Sequence, residues 1–376
     1  MTMASQHPTP RRAGLGAALP DFPWDSLAAA KQRATAHPDG IVDLSVGTPV
    51  DDTPEIGQQA LRDAANRPGY PQTIGTADLR SAMVEYLTDR WQADGLTEAG
   101  VLPVLGTKEI VAWLPLMVGL GPDDVVLYPS TAYPTYAVGA QLARATGVAA
   151  DTAEAIRTHR PGLVWLNSPS NPTGRVLSAE QLAELVGAAR EVGALVASDE
   201  CYGELGWEAE PVSVLDPRVS QGSHEQLLAV HSLSKRSNLA GYRAGFVAGD
   251  PALVTELTEL RKHAGMMMPA PVQAAMAALL RDTDHVTVQR ERYAARRALL
   301  RPALERAGFR IEHSEAGLYL WATRGEDCRA SVDFLSGLGI LVAPGDFYGS
   351  DSGQYVRVAL TATDERIAAA AERLTS

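Results

Sequence analysis

Cysteine is almost absent from this chain. Cys201 and Cys328 are the only two in 376 residues, and they form no C-x-x-C pair. A disulfide scaffold is not expected, and two free thiols in a reducing cytoplasm are the default. The eight histidines show no H-E-x-x-H or related spacing, so no metal site is expected. Long apolar runs are missing too, and Met1 to Pro20 mixes His, Pro, Arg and Gly. That stretch reads as a flexible arm rather than a signal peptide or membrane span. Positive charge is in deficit, 33 basic against 45 acidic residues for a net −12, which opposes a nucleic-acid-binding surface. A local arginine or lysine site could still bind a small anion.

What is present fits a soluble globular protein of two domains, since 376 residues exceed the usual size of one. Short apolar runs alternate with helical patterns. Strands are expected from Ile41 to the glycine turn at Gly47, and over Val101–Gly106, Asp123–Tyr128, Gly162–Asn167, Ala194–Asp199, Gln226–Ser232 and Gly245–Gly249. Helices are expected over Trp24–Ala36, Ala77–Trp91, from Thr107, over Ser178–Val192 and over Pro251–His263. A long helical stretch, Pro271–Ala307, is interrupted near Asp282. The C-terminal part reads as strands over Phe309–Ser314, Leu318–Trp321, Ile340–Pro344 and Tyr355–Leu360, with a helix over Ser331–Gly337 and a closing one over Thr363–Leu374. The pattern predicts an α/β large domain over 45–265, with 21–44 and 266–376 forming a smaller α+β domain.

Chemistry concentrates where expected strands end, as it does in α/β folds. Lys235 emerges just past Gln226–Ser232, among Ser232, Ser234, Ser237 and Arg243, with Gly241 and Gly245 letting backbone come close. The hydroxyls and guanidinium can hold a phosphate. Partial burial and the charges of Arg236 and Arg243 would lower the lysine pKa and make it a nucleophilic amine. A phosphate-bearing aldehyde satisfies all of these groups.

Gly106, Thr107 and Lys108 form a strand, glycine and helix start, whose free N–H groups and positive dipole end suit a phosphate. Asp199 ends a buried run, where a carboxylate is costly unless paired, and a pyridinium N–H is a fitting partner. Asn171 lies in the rigid turn Ser168–Gly174, from which its amide could donate to a phenolate oxygen. Arg357 sits inside a short apolar alternation, and its planar fork could take a carboxylate.

The S-x-S-K run ending at Lys235, with arginine eight positions later, closely resembles the signature of class I/II aminotransferases, which are fold type I enzymes using pyridoxal 5′-phosphate. The N-P-T-G at Asn171–Gly174, the P-x3-Y-P-x-Y at Pro129–Tyr136 and the L-S-x-G-x-P at Leu44–Pro49 follow the same family. The intervals agree as well: 28 residues from Asn171 to Asp199 and 36 from Asp199 to Lys235.

The resemblance implies a mostly parallel seven-stranded sheet, with Lys235 covalently binding the cofactor and then moving the substrate α-proton. It implies that Asp199 meets the ring nitrogen, Tyr202 the ring's phenolate oxygen and Tyr133 the ring face. It further implies that Gly47 lies beside the substrate, that Arg357 takes the α-carboxylate, and that Tyr70 reaches a neighbouring subunit's phosphate in a homodimer. Tyr136 is expected only to line a helix start.

Asp43–Asp51, Gly106–Pro115 and Gly317–Gly325 are similar to the succinyldiaminopimelate aminotransferases of the lysine and diaminopimelate pathway. These exchange an amino group between glutamate and N-succinyl-2-amino-6-oxopimelate. Aminotransferases for aromatic or branched amino acids, and lyases on the same cofactor, share these motifs. A cofactor-sensing regulator would need a DNA-binding unit for which some 40 residues before the first fold motif are too few. Arg236, Arg261 and Lys262 are equal candidates for the far end of a long dicarboxylate substrate.

Overall fold

The computed structural model describes Gly16 and residues 19–375, so nearly all of the expected N-terminal arm lies outside the described residues. Thirteen strands follow in order among them: β1 (Val42–Asp43), β2 (Val101–Leu105), β3 (Val125–Tyr128), β4 (Thr146–Ala149), β5 (Leu163–Asn167), β6 (Leu195–Asp199), β7 (Leu227–Ser232), β8 (Ala244–Gly249), β9 (Arg310–Glu312), β10 (Tyr319–Thr323), β11 (Ile340–Leu341), β12 (Ala343–Pro344) and β13 (Tyr355–Ala359). The main sheet has seven strands in the order β2-β8-β7-β6-β5-β3-β4. Only β8 runs antiparallel to its neighbours β2 and β7. The sheet is therefore mostly parallel, with helices on both faces, as the α/β reading predicts.

Every residue of β5, β6 and β7 is buried, which is why these strands read as continuous apolar runs rather than alternations. The helix Ala179–Val192 shows how the cover is built. Ser178 and Gln181 close a reciprocal capping box at its start, and Gly193 ends it in the left-handed region at φ 74°. Leu182, Leu185, Val186 and Ala189 are buried on one face. Each large side chain among them contributes roughly 1.5–3 kcal/mol of burial.

The long helical stretch breaks where Asp282 predicted, into Ala270–Arg281 and Asp284–Arg306. The first of these packs Met276, Leu279 and Leu280 into the core of the main sheet although it lies beyond residue 265. A second core joins Leu27, Tyr293, Leu318, Leu320, Val356 and Val358 around the four-stranded sheet β12-β13-β10-β9.

Three details differ from the sequence expectation. Ile340–Pro344 is not one strand: β11 pairs in parallel with β1, while β12 pairs antiparallel with β13. A five-residue 3-10 turn, Pro23–Leu27, precedes the helix Ala28–Thr35, because Pro23 starts a turn that lacks an α-type bond ladder. The helices Glu55–Asp63 and Ala153–His159 and the edge strand β4 are absent from the sequence expectation; they are short, at nine, seven and four residues. No described helix is long and apolar enough to cross a membrane.

Candidate active site

The C-terminal ends of β5, β6 and β7 open into one cavity of about 940 Å³. It gathers Gly47, Thr107, Lys108, Tyr133, Asn171, Asp199, Tyr202, Ser232, Ser234, Lys235 and Arg243 from strand ends, loops and helix starts, and Arg357 from the four-stranded sheet. Parallel strands point their free ends the same way, so residues far apart in sequence converge there.

Lys235 follows β7 in the four-residue helical turn Leu233–Arg236, and its Nζ donates to the Gly47 carbonyl. Burial is the main force pushing its pKa down, to about 8, with the Arg357 and Arg243 charges adding to the shift and the Cys201 thiol opposing it. Arg236 is not among the causes, contrary to the sequence expectation. Its side chain is buried 4.6 Å from the Tyr86 ring and donates to the Leu279 carbonyl. An unfolded chain keeps an ordinary lysine near 10.5, so between about pH 8 and that value the unfolded state holds a proton the folded state has lost. Stability of the cofactor-free protein therefore rises with pH across this window and falls as pH drops through about 8. Denaturant unfolding at pH 8 and pH 10 should give a larger gain for the native protein than for Lys235→Met. Equal gains would contradict the assignment.

The phosphate-type end of the cavity rests on backbone shape. Gly106 has φ +81°, and a Cβ there would collide with the Arg243 guanidinium. Thr107 and Lys108 open the eleven-residue helix Thr107–Met117, with free N–H groups in its first turn. Ser232 Oγ accepts from the Ser234 N–H at 3.1 Å. The Lys108 side chain, however, lies toward another part of the cavity: its Nζ is 5.5 Å from the Phe22 ring and 5.9 Å from the Tyr133 ring, both of which line the same space.

Asp199 ends β6, beside Asn167 at the end of β5. Its Oδ2 accepts from the Tyr136 hydroxyl at 2.9 Å, and its Oδ1 from the Cys201 N–H at 3.2 Å. Burial pushes the Asp199 carboxyl up, while these donors and the Cys201 thiol pull it down. No cation reaches it within ion-pairing distance among the described residues, so a protonated ring nitrogen fits the remaining space.

Tyr136 is thus a functional neighbour that the sequence expectation reduced to a helix start. The signal was its place three residues after Tyr133, on one turn of the same segment. Asn167, also missed, donates to the Asp199 carbonyl at 2.9 Å and accepts from the Asn171 N–H at 2.8 Å. It fixes both partners at once. Tyr136→Phe removes a hydrogen bond to a buried carboxylate, worth about 1.5–3 kcal/mol. The dissociation constant of the cofactor should rise about tenfold or more, read by absorbance titration. An unchanged constant would remove Tyr136 from the site.

The opposite wall is aromatic. Tyr202 and Tyr319 share a hydrogen bond between their hydroxyls at 3.1 Å, and burial pushes the Tyr202 phenol well up. Arg357, on β13, is 2% exposed. Its Nη1 donates to Asn171 Oδ1 at 2.9 Å and its Nη2 to the Ser45 carbonyl at 2.7 Å. The guanidinium carbon stands 4.0 Å from the Tyr319 ring centroid, and its buried Nε–H has no partner. A buried donor without an acceptor is costly, and a carboxylate entering the cavity could satisfy it. With its oxygen occupied by Arg357, Asn171 has its amide N–H₂ left to donate.

Four expected residues do not meet in this cavity. Arg261 is fully buried and pairs with Glu109 at 2.7 Å, and Lys262 pairs with Glu259 at 2.5 Å on the surface. Arg236 packs against Tyr86 and does not line the cavity. Tyr70 is 96% exposed and lies outside the cavity of its own chain.

A glycine and helix start, a buried lysine of lowered pKa and a buried carboxylate with no cation near it among the described residues are groups that suit pyridoxal phosphate, and they stand on a fold type I frame. Residues 39–374 match the model of aminotransferase class I and II, and the chain belongs to that pyridoxal-phosphate-dependent family. It is 62% identical, over 97% of its length and 88% of the relative's, to a Mycobacterium tuberculosis protein named probable aminotransferase. It is 58% identical, over 95% of its length and 99% of the relative's, to the 4-dedimethylamino-4-oxo-anhydrotetracycline transaminase of Streptomyces rimosus. The solved N-succinyldiaminopimelate aminotransferase of Mycobacterium tuberculosis superposes with a TM-score of 0.85 at 25% identity, covering 97% of this chain and 99% of that one.

Proposed function

We propose that this aminotransferase exchanges an amino group between N-succinyl-LL-2,6-diaminopimelate and 2-oxoglutarate, giving N-succinyl-2-amino-6-oxopimelate and glutamate. The observation that carries the substrate class is a set of cations left open to one cavity. Arg357 lies buried in it, and Lys31 and Lys108 line it with no ion-pair partner among the described residues. N-succinyl-diaminopimelate carries three carboxylates, one for each. Asp25 and Asp43 share the rim, but Asp43 Oδ1 is occupied by the Ser45 N–H and hydroxyl at 3.0 and 2.6 Å. The solved mycobacterial structure, named for the same substrate, supports this reading; the Streptomyces rimosus relative is named for a different one.

Pyridoxal phosphate, when bound, supplies an aldehyde for the substrate amine and a ring that accepts the electrons of the Cα–H bond. The remaining work falls to this chain. Arg357 and Asn171 orient the α-carboxylate, and Lys235 Nζ, neutral above about pH 8, takes the α-proton and returns it to the adjoining carbon. Asp199, held by Tyr136, keeps the ring nitrogen protonated. Gly106, Thr107, Ser232, Ser234 and Arg243 hold the phosphate, Tyr133 covers the ring and Tyr202 meets its phenolate oxygen. Tyr70, unburied in its own chain, serves the phosphate of a second copy in a homodimer. The large lobe comprises 45–265 together with Ala270–Arg281, and the small lobe 21–44 with the remainder of 266–376.

Steady-state assays with N-succinyl-LL-2,6-diaminopimelate and 2-oxoglutarate test the substrate. The native protein should turn over, and Lys31→Ala and Lys108→Ala should each raise KM for the succinylated substrate about tenfold with kcat nearly unchanged. A native protein active on other amino acids but silent here would discard the substrate and keep the transaminase.

A further inference from the structure

A second cavity, of about 810 Å³, shares Phe22, Asp25 and Tyr133 with the first. Its wall beyond them is mainly apolar, with Pro134, Ala137, Val138, Phe347 and Tyr348. Aromatic rings lead into it from the carboxylate-binding end of the first cavity. The Arg357 guanidinium carbon is 5.8 Å from the Trp24 ring. Trp24 in turn lies 5.4 Å from Phe22, stacked at 30°, and 5.2 Å from Phe347.

Unlike the first cavity, this second space has no unpaired cation among the described residues that line it. Arg329 is spent on Asp346 at 2.7 Å and on Ser26 Oγ at 3.1 Å, so it offers no free cation. Asp21 and Asp25 are left as carboxylates without a cationic partner among the described residues. A second carboxylate is disfavoured there, since like charges in a partly enclosed space repel. A flat uncharged body is favoured, because rings stack on Phe22, Phe347 and Tyr348 and leave water as they do so.

We infer that this second cavity receives the large, uncharged aromatic body of an alternative amino acid or oxo acid, one whose carboxylate sits on Arg357 and whose reacting carbon lies at Lys235. The inference rests on the first cavity being the transamination site. It adds a substrate class, amino acids with extended aryl side chains, to the anionic one proposed above. Phe22, 54% exposed, stands between the two spaces and would be the ring such a side chain passes.

The test separates binding from turnover. The probe is 3-(4-biphenylyl)propionate, which has the carboxylate and the rings but no amine, and its binding to the cofactor-loaded protein is followed by calorimetry with glutarate as control. Ala137→Trp fills the cavity from the helix Thr135–Leu142. Ala149→Trp fills it from the exposed edge strand β4, where a large side chain can be carried without disturbing a core. Each should weaken the biphenyl acid at least about tenfold and leave glutarate within about twofold, a loss equal to the burial of one ring. The native protein should also lose cofactor absorbance on mixing with 4-phenyl-L-phenylalanine. No binding of the biphenyl acid to the native protein, or equal effects of both variants on the two acids, or no effect on either, would overturn the inference. Failure of glutamate to react while the biphenyl acid still binds selectively would instead overturn the transamination reading.

Discussion

Lys235→Ala is expected to give a folded protein without measurable transamination. A positioned proton-transfer group is worth about 10²–10⁴ in rate, and this one also supplies the covalent anchor, so the loss should exceed about 10⁴-fold. Folding should survive, because the side chain is a cation that burial already disfavours, and its one hydrogen bond among the described residues goes to the Gly47 carbonyl. The checks are steady-state assays beside a thermal melt of native and variant protein. Turnover above a thousandth of the native rate, with an unshifted melt, would remove Lys235 from the centre of the mechanism.

The second large effect is at Arg357. Its replacement by leucine leaves Asn171 Oδ1 and the Ser45 carbonyl without their donor and removes the charge facing the incoming carboxylate. Removing one partner of a buried, hydrogen-bonded charge pair costs about 2–5 kcal/mol, which corresponds to about 30- to 4,000-fold in kcat/KM. The loss should appear with every amino acid, including those with no distal charge, because the α-carboxylate is common to all. Arg357→Lys should recover only part of it. One ammonium cannot hold Asn171 and Ser45 while also presenting a flat fork to the substrate. Equal activity of Arg357→Leu with amino acids and with simple amines would be the expected pattern after loss of carboxylate recognition. An unchanged preference for amino acids would assign that recognition elsewhere.

Much of this site was legible because its residues sit where strands stop. Lys235, Asp199 and Asn171 each follow an apolar run that could only be buried, so a polar side chain at its end needed a partner. Gly106 was legible because a strand, a glycine and a helix start leave backbone N–H groups exposed. What escaped were the partners. Tyr136, Asn167, Tyr319 and Ser45 act through contacts to residues 63, 32, 117 and 312 positions away, and apart from the Tyr133–Tyr136 spacing no local pattern marks them.

The lysines show the same limit from another side. Lys108 follows Thr107 at a helix start, which reads as a phosphate site, yet its backbone and its side chain face different parts of the cavity. Arg236 and Arg261 carry charge beside the right segments, and each is consumed by packing or pairing that the sequence does not reveal. Lys31 had no motif at all; the helix Ala28–Thr35 brings it to the cleft.

The most direct test of the account is a half-reaction. The cofactor-loaded protein is mixed, without any oxo acid, with glutamate and separately with N-succinyl-LL-2,6-diaminopimelate, and the visible absorbance of the cofactor is followed. Absorbance should fall with both, and one equivalent of the matching oxo acid should be released per site. Absorbance that stays constant with every amino acid offered, in a protein shown to hold the cofactor on Lys235, would contradict it.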